Sequence, residues 1–174
     1  MDAMERALEI DKKADAIVIG PGLGEPEPKA VREFIQECES PVVVDADALE
    51  QVPKAPIENA VLTPHEGEFE KIDDVLEMLL DTNNVVLRKG VKDTVYYRSN
   101  ETEIDVGHPT MTVGGTGDVL TGIVASLISQ GMNLEESAIL GTWVNGKAGE
   151  KVAKTHGNGA LATDIIEKIP ELLV

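Results

Sequence analysis

The sequence is poor in cysteine and aromatic residues and contains no long apolar run. Its single cysteine, Cys38, cannot form a disulfide within the chain, which favours a reducing, cytoplasmic location. No segment approaches the roughly 20 consecutive apolar residues of a membrane-spanning helix, so no membrane association is expected. Because only 3% of the residues are aromatic, the core must consist mainly of Val, Ile, Leu and Ala, and we expect Cys38 to pack there.

Basic residues are also scarce. The chain has 15 Lys and Arg against 32 Asp and Glu, which gives a formal net charge of −17. Such a surface repels nucleic-acid backbones and anionic lipid, so neither is an expected partner. It repels nucleotides at long range as well. Any nucleotide site must therefore depend on backbone N–H groups, a few lysines and a divalent cation.

What the sequence does contain is an alternation of short apolar runs and amphipathic segments. Four runs without a polar face predict strands that are buried on both sides, and two alternating segments predict a hairpin. The pattern indicates one α/β domain over residues 1–174, with a mainly parallel sheet covered by helices on both faces. The predicted strands are 16–19, 42–44, 60–62 and 85–88, the hairpin is 94–98 with 103–106, and the helices are about 3–13, 28–39, 73–81, 116–130, 135–154 and 161–169.

Glycine-rich or polar loops follow all four predicted strands. Ligands bind beyond the C-terminal ends of parallel strands, so these loops should gather at one functional edge. They are residues 20–24, 45–47, 63–67 and 89–90.

The most specific motif, at residues 114–118, leads directly into an apolar helix. Its glycines let several backbone N–H groups turn toward a ligand, and the helix adds its positive N-terminal end. This arrangement would bind a phosphoryl group, and Asp118 could accept a proton from an attacking hydroxyl. Alternatively, the segment is a flexible loop in which Thr116 or Asp118 caps the helix. The predicted anion hole consists of Gly114, Gly115, Thr116 and Gly117.

Other polar residues near strand ends are candidate ligand-binding groups. The His65 imidazole could donate to a substrate phosphate or amide, or His65 could begin a helix and pair with a nearby carboxylate. Lys89 could pair with phosphate, or it could belong to a solvated turn. Asp45 and Asp47 could hold a metal ion, although Asp47 could instead cap a helix. We favour a structural or indirect role for Asp45 and assign no metal ligand.

Taken together, the motifs resemble those of the ADP/ATP-dependent NAD(P)H-hydrate dehydratases, a carbohydrate kinase-related branch of the ribokinase-like superfamily. The Gly-Thr-Gly-Asp form of the motif at 114–118, in place of Gly-Ala-Gly-Asp, is similar to that branch. The resemblance implies a ribokinase-like three-layer α/β/α sandwich with a mainly parallel central sheet. Three further stretches match the branch in order: 14–24, 42–49 and 62–69.

The resemblance also implies a lyase that repairs hydrated NADH or NADPH. ADP or ATP, accompanied by Mg²⁺, would phosphorylate the hydroxyl of the damaged ring, and loss of phosphate would restore the double bond. Asp118 would be the base and would contact the substrate together with His65 and Gly24. The implied nucleotide-binding residues are Lys89, Gly90, Val91, Lys92, Asp93, Thr94 and Gly117.

Compared with that family, the resemblance begins late. Family members carry a leading portion with its own strand and a Gly-Gly turn, and we expect this chain to be shortened at that end. An uncovered sheet edge favours a homo-oligomer or a repacked N-terminus. Two other functions stay open: a ribokinase-like kinase for a vitamin or other small molecule, and a non-catalytic remnant that binds nucleotide.

Overall fold

The central element of the fold is a six-stranded sheet whose strands lie side by side in chain order. The computed structural model of the chain describes residues 9–24, 27–54 and 57–173. The first four strands pair in parallel, which confirms the predicted sheet, and the last two add an antiparallel hairpin. The strands are β1 (Ile17–Ile19), β2 (Val42–Val44), β3 (Ala60–Leu62), β4 (Val85–Arg88), β5 (Asp93–Tyr97) and β6 (Asn100–Ile104).

Strand β1 has one exposed face, since its Val18 is 40% exposed, so the prediction that this strand is buried on both sides was wrong. Strands β2, β3 and β4 are buried on both faces, and their successive side chains point into opposite cores. Val43, Val61 and Val85 belong to the core on one face of the sheet. Val44 and Leu62 belong to the core on the other face. All five side chains are fully buried. Burial on both sides explains why β2 and β3 have no polar positions and why β4 has none before Arg88.

Helices cover both faces, which gives the predicted three-layer α/β/α sandwich. One layer contains α1 (Pro28–Glu37), a 3-10 helix (Ala46–Lys54), α2 (Glu66–Phe69) and α3 (Leu76–Leu80). The other contains α4 (Thr116–Ser129) and α5 (Leu134–His156), against which α6 (Ala162–Lys168) packs. The 3-10 helix and α2 were not predicted at these lengths, because they lie in polar segments after strands. Among the described residues, no helix is both long and apolar enough to cross a bilayer.

The β5–β6 hairpin is tighter than the sequence predicted. Arg98 adopts a left-handed conformation with φ of 53°, and Tyr97 pairs directly with Asn100. The second strand therefore begins at Asn100, whereas the alternating pattern had placed its start at Glu103. The turn leaves only Arg98 and Ser99 between the paired residues, so the strand includes polar positions that had been assigned to the loop.

Asp11 fastens the first described segment to the turn before β2. Its carboxylate is 2% exposed and accepts hydrogen bonds from the backbone N–H groups of Glu39 and Ser40, each at 2.9 Å. Burial raises the pKa of Asp11, but these hydrogen bonds and those from Ser40 and Cys38 outweigh it and lower the pKa to about 2. Burial, followed by the Asp11 carboxylate, raises the pKa of the Cys38 thiol to about 12, so Cys38 stays protonated. Its contact with the core agrees with the predicted packing role.

Candidate functional site

The loops that follow the parallel strands meet at the C-terminal edge of the sheet, as their positions in the sequence predict. The backbone N–H of Gly24 donates to Asp47 Oδ2 at 3.0 Å, which joins the first loop to the second. His65 and Lys89 form an isolated parallel bridge, and Lys89 N–H donates to the carbonyl of Pro64 at 2.7 Å. The third and fourth loops are thereby joined as well.

A buried ion pair lies at the centre of this edge. Lys89 Nζ is 2.7 Å from Asp45 Oδ1, and the two side chains are 20% and 3% exposed. The hydroxyl of Thr121, in α4, donates to Asp45 Oδ2 at 3.0 Å. Asp45 therefore connects the ends of β2 and β4 to the helix that begins at the glycine-rich motif.

Helix α4 begins at the predicted anion-binding segment. Gly115 is its N-cap, with φ of 92°, and no side chain caps the helix there. The first helical hydrogen bond runs from Val119 N–H to the carbonyl of Gly115 at 3.0 Å. The N–H groups of residues 116–118 precede that bond and can donate to a ligand. Neither Thr116 nor Asp118 acts as the helix cap that was the alternative interpretation of this motif.

The Lys89 ammonium lies against the first turn of α4. A Cβ atom placed on Gly117 would be 3.5 Å from Lys89 Nζ. Gly114 is exposed just before this turn. The Thr116 hydroxyl donates to the carbonyl of Met111 at 2.7 Å and thereby stabilises the preceding loop. The ammonium, the free N–H groups and the positive helix end create a local anion site on a strongly acidic chain.

A cleft of about 420 Å³ opens from this anion site. Lys89 and Gly117 lie at its polar end, and Val106, Met111 and Leu120 contribute apolar surface. A polar end beside an apolar wall suits a phosphorylated ligand with a flat ring system. Of the residues that the resemblance assigns to the nucleotide, Lys89, Gly90, Val91, Asp93 and Gly117 line the cleft.

Two residues assigned to the nucleotide by resemblance do not line this cleft. Lys92 forms ion pairs with Glu103 at 2.7 Å and Asp105 at 3.3 Å on the hairpin. Thr94 is 3% exposed within β5. A 2.9 Å hydrogen bond from Gly90 N–H to Asp93 Oδ1 closes the loop that follows Lys89. Burial raises the pKa of Asp93, although that hydrogen bond and the Lys89 charge oppose the shift.

Asp118 lies outside the lysine cleft, on an adjacent apolar groove of about 450 Å³. Successive residues of a helix point about 100° apart, so Gly117 faces the cleft while Asp118 is exposed at the groove. The groove is also formed by Gly122 and Ile123 of α4 and by Ile166 of α6. The turn at 116–118 therefore separates two places where different reactants could sit, with the carboxylate on one side and the ammonium on the other.

His65 is the N-cap of α2. Its Nδ1 accepts from Glu68 N–H at 3.2 Å, and Glu68 Oε2 accepts from His65 N–H at 2.8 Å. The ring Nε2 is also 3.4 Å from Glu68 Oε1, and the His65 side chain is 62% exposed. This is the geometry of a helix-entry histidine paired with a carboxylate, the second of the two interpretations considered for this residue. The His65 backbone pairs with Lys89, so its exposed ring lies at the same edge of the sheet as the lysine.

A family model described as NAD(P)H-hydrate dehydratase matches residues 1–171. The chain belongs to this family. The ADP-dependent (S)-NAD(P)H-hydrate dehydratase of Haloterrigena turkmenica is 45% identical over 175 residues, which cover 98% of this chain and 68% of the relative. This chain thus spans about two thirds of the length of that dehydratase.

Solved structures share the fold, among them a ribokinase-like superfamily protein of Enterococcus faecalis, which superposes with a TM-score of 0.83 at 22% identity, covering 97% of this chain and 67% of that one. The ADP/ATP-dependent NAD(P)H-hydrate dehydratase of Bacillus subtilis, co-crystallised with ATP and Mg²⁺, superposes with a TM-score of 0.76 at 23% identity, covering 98% of this chain and 69% of that one. The hypothetical protein SMU.573 of Streptococcus mutans superposes with a TM-score of 0.84, also at 23% identity, covering 98% and 69% of the two chains. At these identities the likeness establishes the ribokinase-like architecture of this dehydratase-family chain.

Two residues of the site region were missed in the sequence. Thr121 is a fully buried polar residue among the buried apolar residues of α4, four positions after Gly117, and that exception was an available signal. The Arg88 guanidinium lies 5.2 Å from the Phe69 ring centre and 5.9 Å from that of Tyr96. It thereby holds α2, which carries His65 at its start. The contact joins side chains from three separate elements, so no local pattern indicates it.

The candidate site of this dehydratase-family chain offers few ligands for a magnesium ion among the described residues. The described residues contain no group of three or more His, Cys, Asp or Glu that could hold a metal ion. The Asp45 carboxylate is already bound by Lys89 and Thr121. Mg²⁺ is commonly held by one or two carboxylates together with substrate phosphates. The site therefore fits a magnesium ion that arrives with the nucleotide.

Proposed function

We propose that this chain is a metabolite-repair lyase that dehydrates hydrated NADH or NADPH at the expense of ADP or ATP. The observation that carries the proposal is the position of the Lys89 ammonium against the first turn of α4, directly before Asp118. The lysine cleft then provides a phosphate site, and the Asp118 carboxylate provides a base on the adjacent face of the same helical turn. Family membership supports this chemistry over other reactions of the fold. We assign the activity to residues 1–174 as a single dehydratase domain.

In the proposed reaction, the terminal phosphate of the nucleotide binds to the free N–H groups of residues 116–118 and to Lys89. Asp118 takes the proton of the substrate hydroxyl as its oxygen attacks phosphorus, and AMP leaves when ADP is the donor, or ADP when ATP is. The phosphate then leaves the ring carbon, and loss of a proton from the neighbouring carbon restores the double bond. Bound Mg²⁺ would offset charge on the phosphates. The sum is conversion of hydrated NAD(P)H and ADP to NAD(P)H, phosphate and AMP.

The two ligands would approach from different sides of this turn. The nucleotide occupies the cleft lined by Lys89, Gly90, Val91 and Asp93, while Lys92 and Thr94 support the loop from outside. Hydrated NAD(P)H reaches Asp118 from the open side of the edge, where we place Gly24 and His65 in contact with it. This arrangement is supported by the separate exposure of Gly117 and Asp118 to cleft and groove.

Recovery of NADH absorbance tests the proposal directly. The protein should regenerate NADH from its chemically hydrated form when ADP or ATP and Mg²⁺ are present, and should not do so when the nucleotide is omitted. A stable phosphoester without NADH would contradict this function and indicate a small-molecule kinase. Absence of both repair and nucleotide binding would contradict it in favour of a non-catalytic remnant.

We further propose that the chain forms a homo-oligomer in the cytoplasm. Among the described strands β1 lies at an edge of the sheet, and its Val18 is 40% exposed. An apolar strand exposed at the edge of a sheet favours association. The lone Cys38 is what supports a reducing compartment.

Light scattering should therefore give a mass that is a whole-number multiple, at least two, of the single chain. Replacing Val18 by Lys should shift the distribution toward the single chain, because a charge on the edge strand opposes pairing. A monomer at all concentrations would contradict the oligomer.

A further inference from the structure

We propose that Asp45 is a positioning residue that fixes the Lys89 ammonium beneath the phosphate-binding turn of α4. The inference rests on the proposed function insofar as it takes a nucleotide phosphate to be the ligand of that turn. Asp45 itself is 2% exposed and needs no contact with the nucleotide. Its effect would pass through Lys89.

The sheet order explains why the lysine needs a fixed partner. Asp45 follows β2 and Lys89 follows β4, and β3 lies between them. Neighbouring strands are about 4.8 Å apart, so the lysine side chain must extend across the end of β3 to reach Asp45 Oδ1 at 2.7 Å. Along that path its ammonium comes to rest beside Gly117. Without the carboxylate, a four-carbon side chain at a sheet edge would sample many rotamers.

The second oxygen of Asp45 anchors the pair to the helix. Thr121 Oγ1 is 3.0 Å from Asp45 Oδ2 and 2.9 Å from the carbonyl of Gly117. The Thr121 hydroxyl therefore links the carboxylate to the first turn of α4. Because both oxygens of Asp45 have partners, the carboxylate has a fixed position relative to Gly117. The Lys89 ammonium that it binds is fixed with it.

The charges of Asp45 and Lys89 allow the positioning role of Asp45 to be distinguished from a purely structural role. An ammonium has three N–H donors, so Lys89 can bind Asp45 and still donate to a phosphate. While the pair is intact, the lysine cancels the negative charge of Asp45 beside the anion site. If the lysine is removed, the same carboxylate becomes an uncompensated charge that repels phosphate. Asp45 should therefore aid nucleotide binding only when Lys89 is present.

A double-mutant cycle on ADP affinity, measured by calorimetry, tests this dependence. Asp45→Asn should weaken ADP binding by about tenfold with Lys89 present, a coupling typical of residues in direct contact. In the Lys89→Met background, the same substitution should leave the affinity unchanged or increase it. Asp11→Asn is the matched control, since it removes a carboxylate that is also 2% exposed but lies outside the site, and it should leave ADP affinity unchanged in both backgrounds.

Equal loss of affinity from Asp45→Asn in the two backgrounds would overturn the positioning role. If Asp45→Asn does not fold alone, Asp45→Glu replaces it in the cycle, and its loss of affinity should likewise disappear with Lys89→Met. Wild-type protein that binds ADP without repairing hydrated NADH would contradict the proposed function while the cycle still decides the role of Asp45. Wild-type protein that binds neither ADP nor ATP would overturn both.

Discussion

Asp118→Asn should lower the rate of NADH regeneration by about 10²- to 10⁴-fold, the usual loss when a general base is removed. ADP affinity should change little, because Asp118 faces the groove and not the lysine cleft. Stability should also change little, since Asp118 does not cap α4 and its interaction with the helix end contributes about 0.3–1 kcal/mol. The measurement is the initial rate of absorbance recovery at saturating ADP.

Glu136→Gln is the matched control for Asp118→Asn. Glu136 is likewise an acidic residue in the first turn of a helix, α5, but it lies outside the proposed site. This control should keep the wild-type rate. A normal rate in Asp118→Asn would show that another group takes the hydroxyl proton, and the proposed chemistry would then be wrong.

Gly20→Ala should lower the free energy of unfolding by about 3–5 kcal/mol, or prevent folding altogether. A Cβ atom at this position would lie 1.7 Å from the carbonyl oxygen of Asp45, and Gly20 has φ of 121°. The neighbouring backbone cannot easily move away, because Asp45 N–H is bound to the carbonyl of Ile19 at 3.0 Å. Urea denaturation of the wild type and the variant measures the difference.

Gly131→Ala distinguishes the energetic cost of steric overlap from the cost of the left-handed backbone conformation. Gly131 also has a positive φ, 91°, but a Cβ there would meet no atom within 4 Å. Its cost should be about 1–2 kcal/mol, the penalty of a left-handed conformation alone. Equal losses in the two variants would contradict the close packing of the first loop on the second, which places Asp45 in the site.

The parallel strands were predictable because their own residues, which are apolar, indicate a buried position. Val42–Val44 and Ala60–Leu62 lack polar positions since both of their faces are covered, and that signal is local. The hairpin was less well predicted: its exact turn depends on a left-handed Arg98, a conformation that few residues other than glycine adopt and that no sequence pattern indicated.

The loops that form the site were predictable from the sequence, but the contacts between their side chains were not. Residues after the parallel strands had to share one edge, which brought Asp45, His65 and Lys89 into one hypothesis. The motif at 114–118 was connected with them through the family resemblance. The Asp45–Lys89 pair, however, depends on β2 and β4 flanking β3, and strand order is not a local property of the sequence. The pairing of His65 with Glu68 depended on whether a helix begins there, which its neighbours alone left open.

In the proposed site, the turn at residues 116–118 binds a phosphate with Lys89 on one side and Asp118 on the other. A crystal structure with Mg²⁺ and α,β-methylene-ADP, in which the bond to be broken is blocked, tests it most directly. The β-phosphate should lie within hydrogen-bonding distance of Gly117 N–H and Lys89 Nζ, with the Asp118 carboxylate facing the opposite side of that phosphorus. A nucleotide bound elsewhere, with Gly117 and Lys89 free of phosphate, would contradict it.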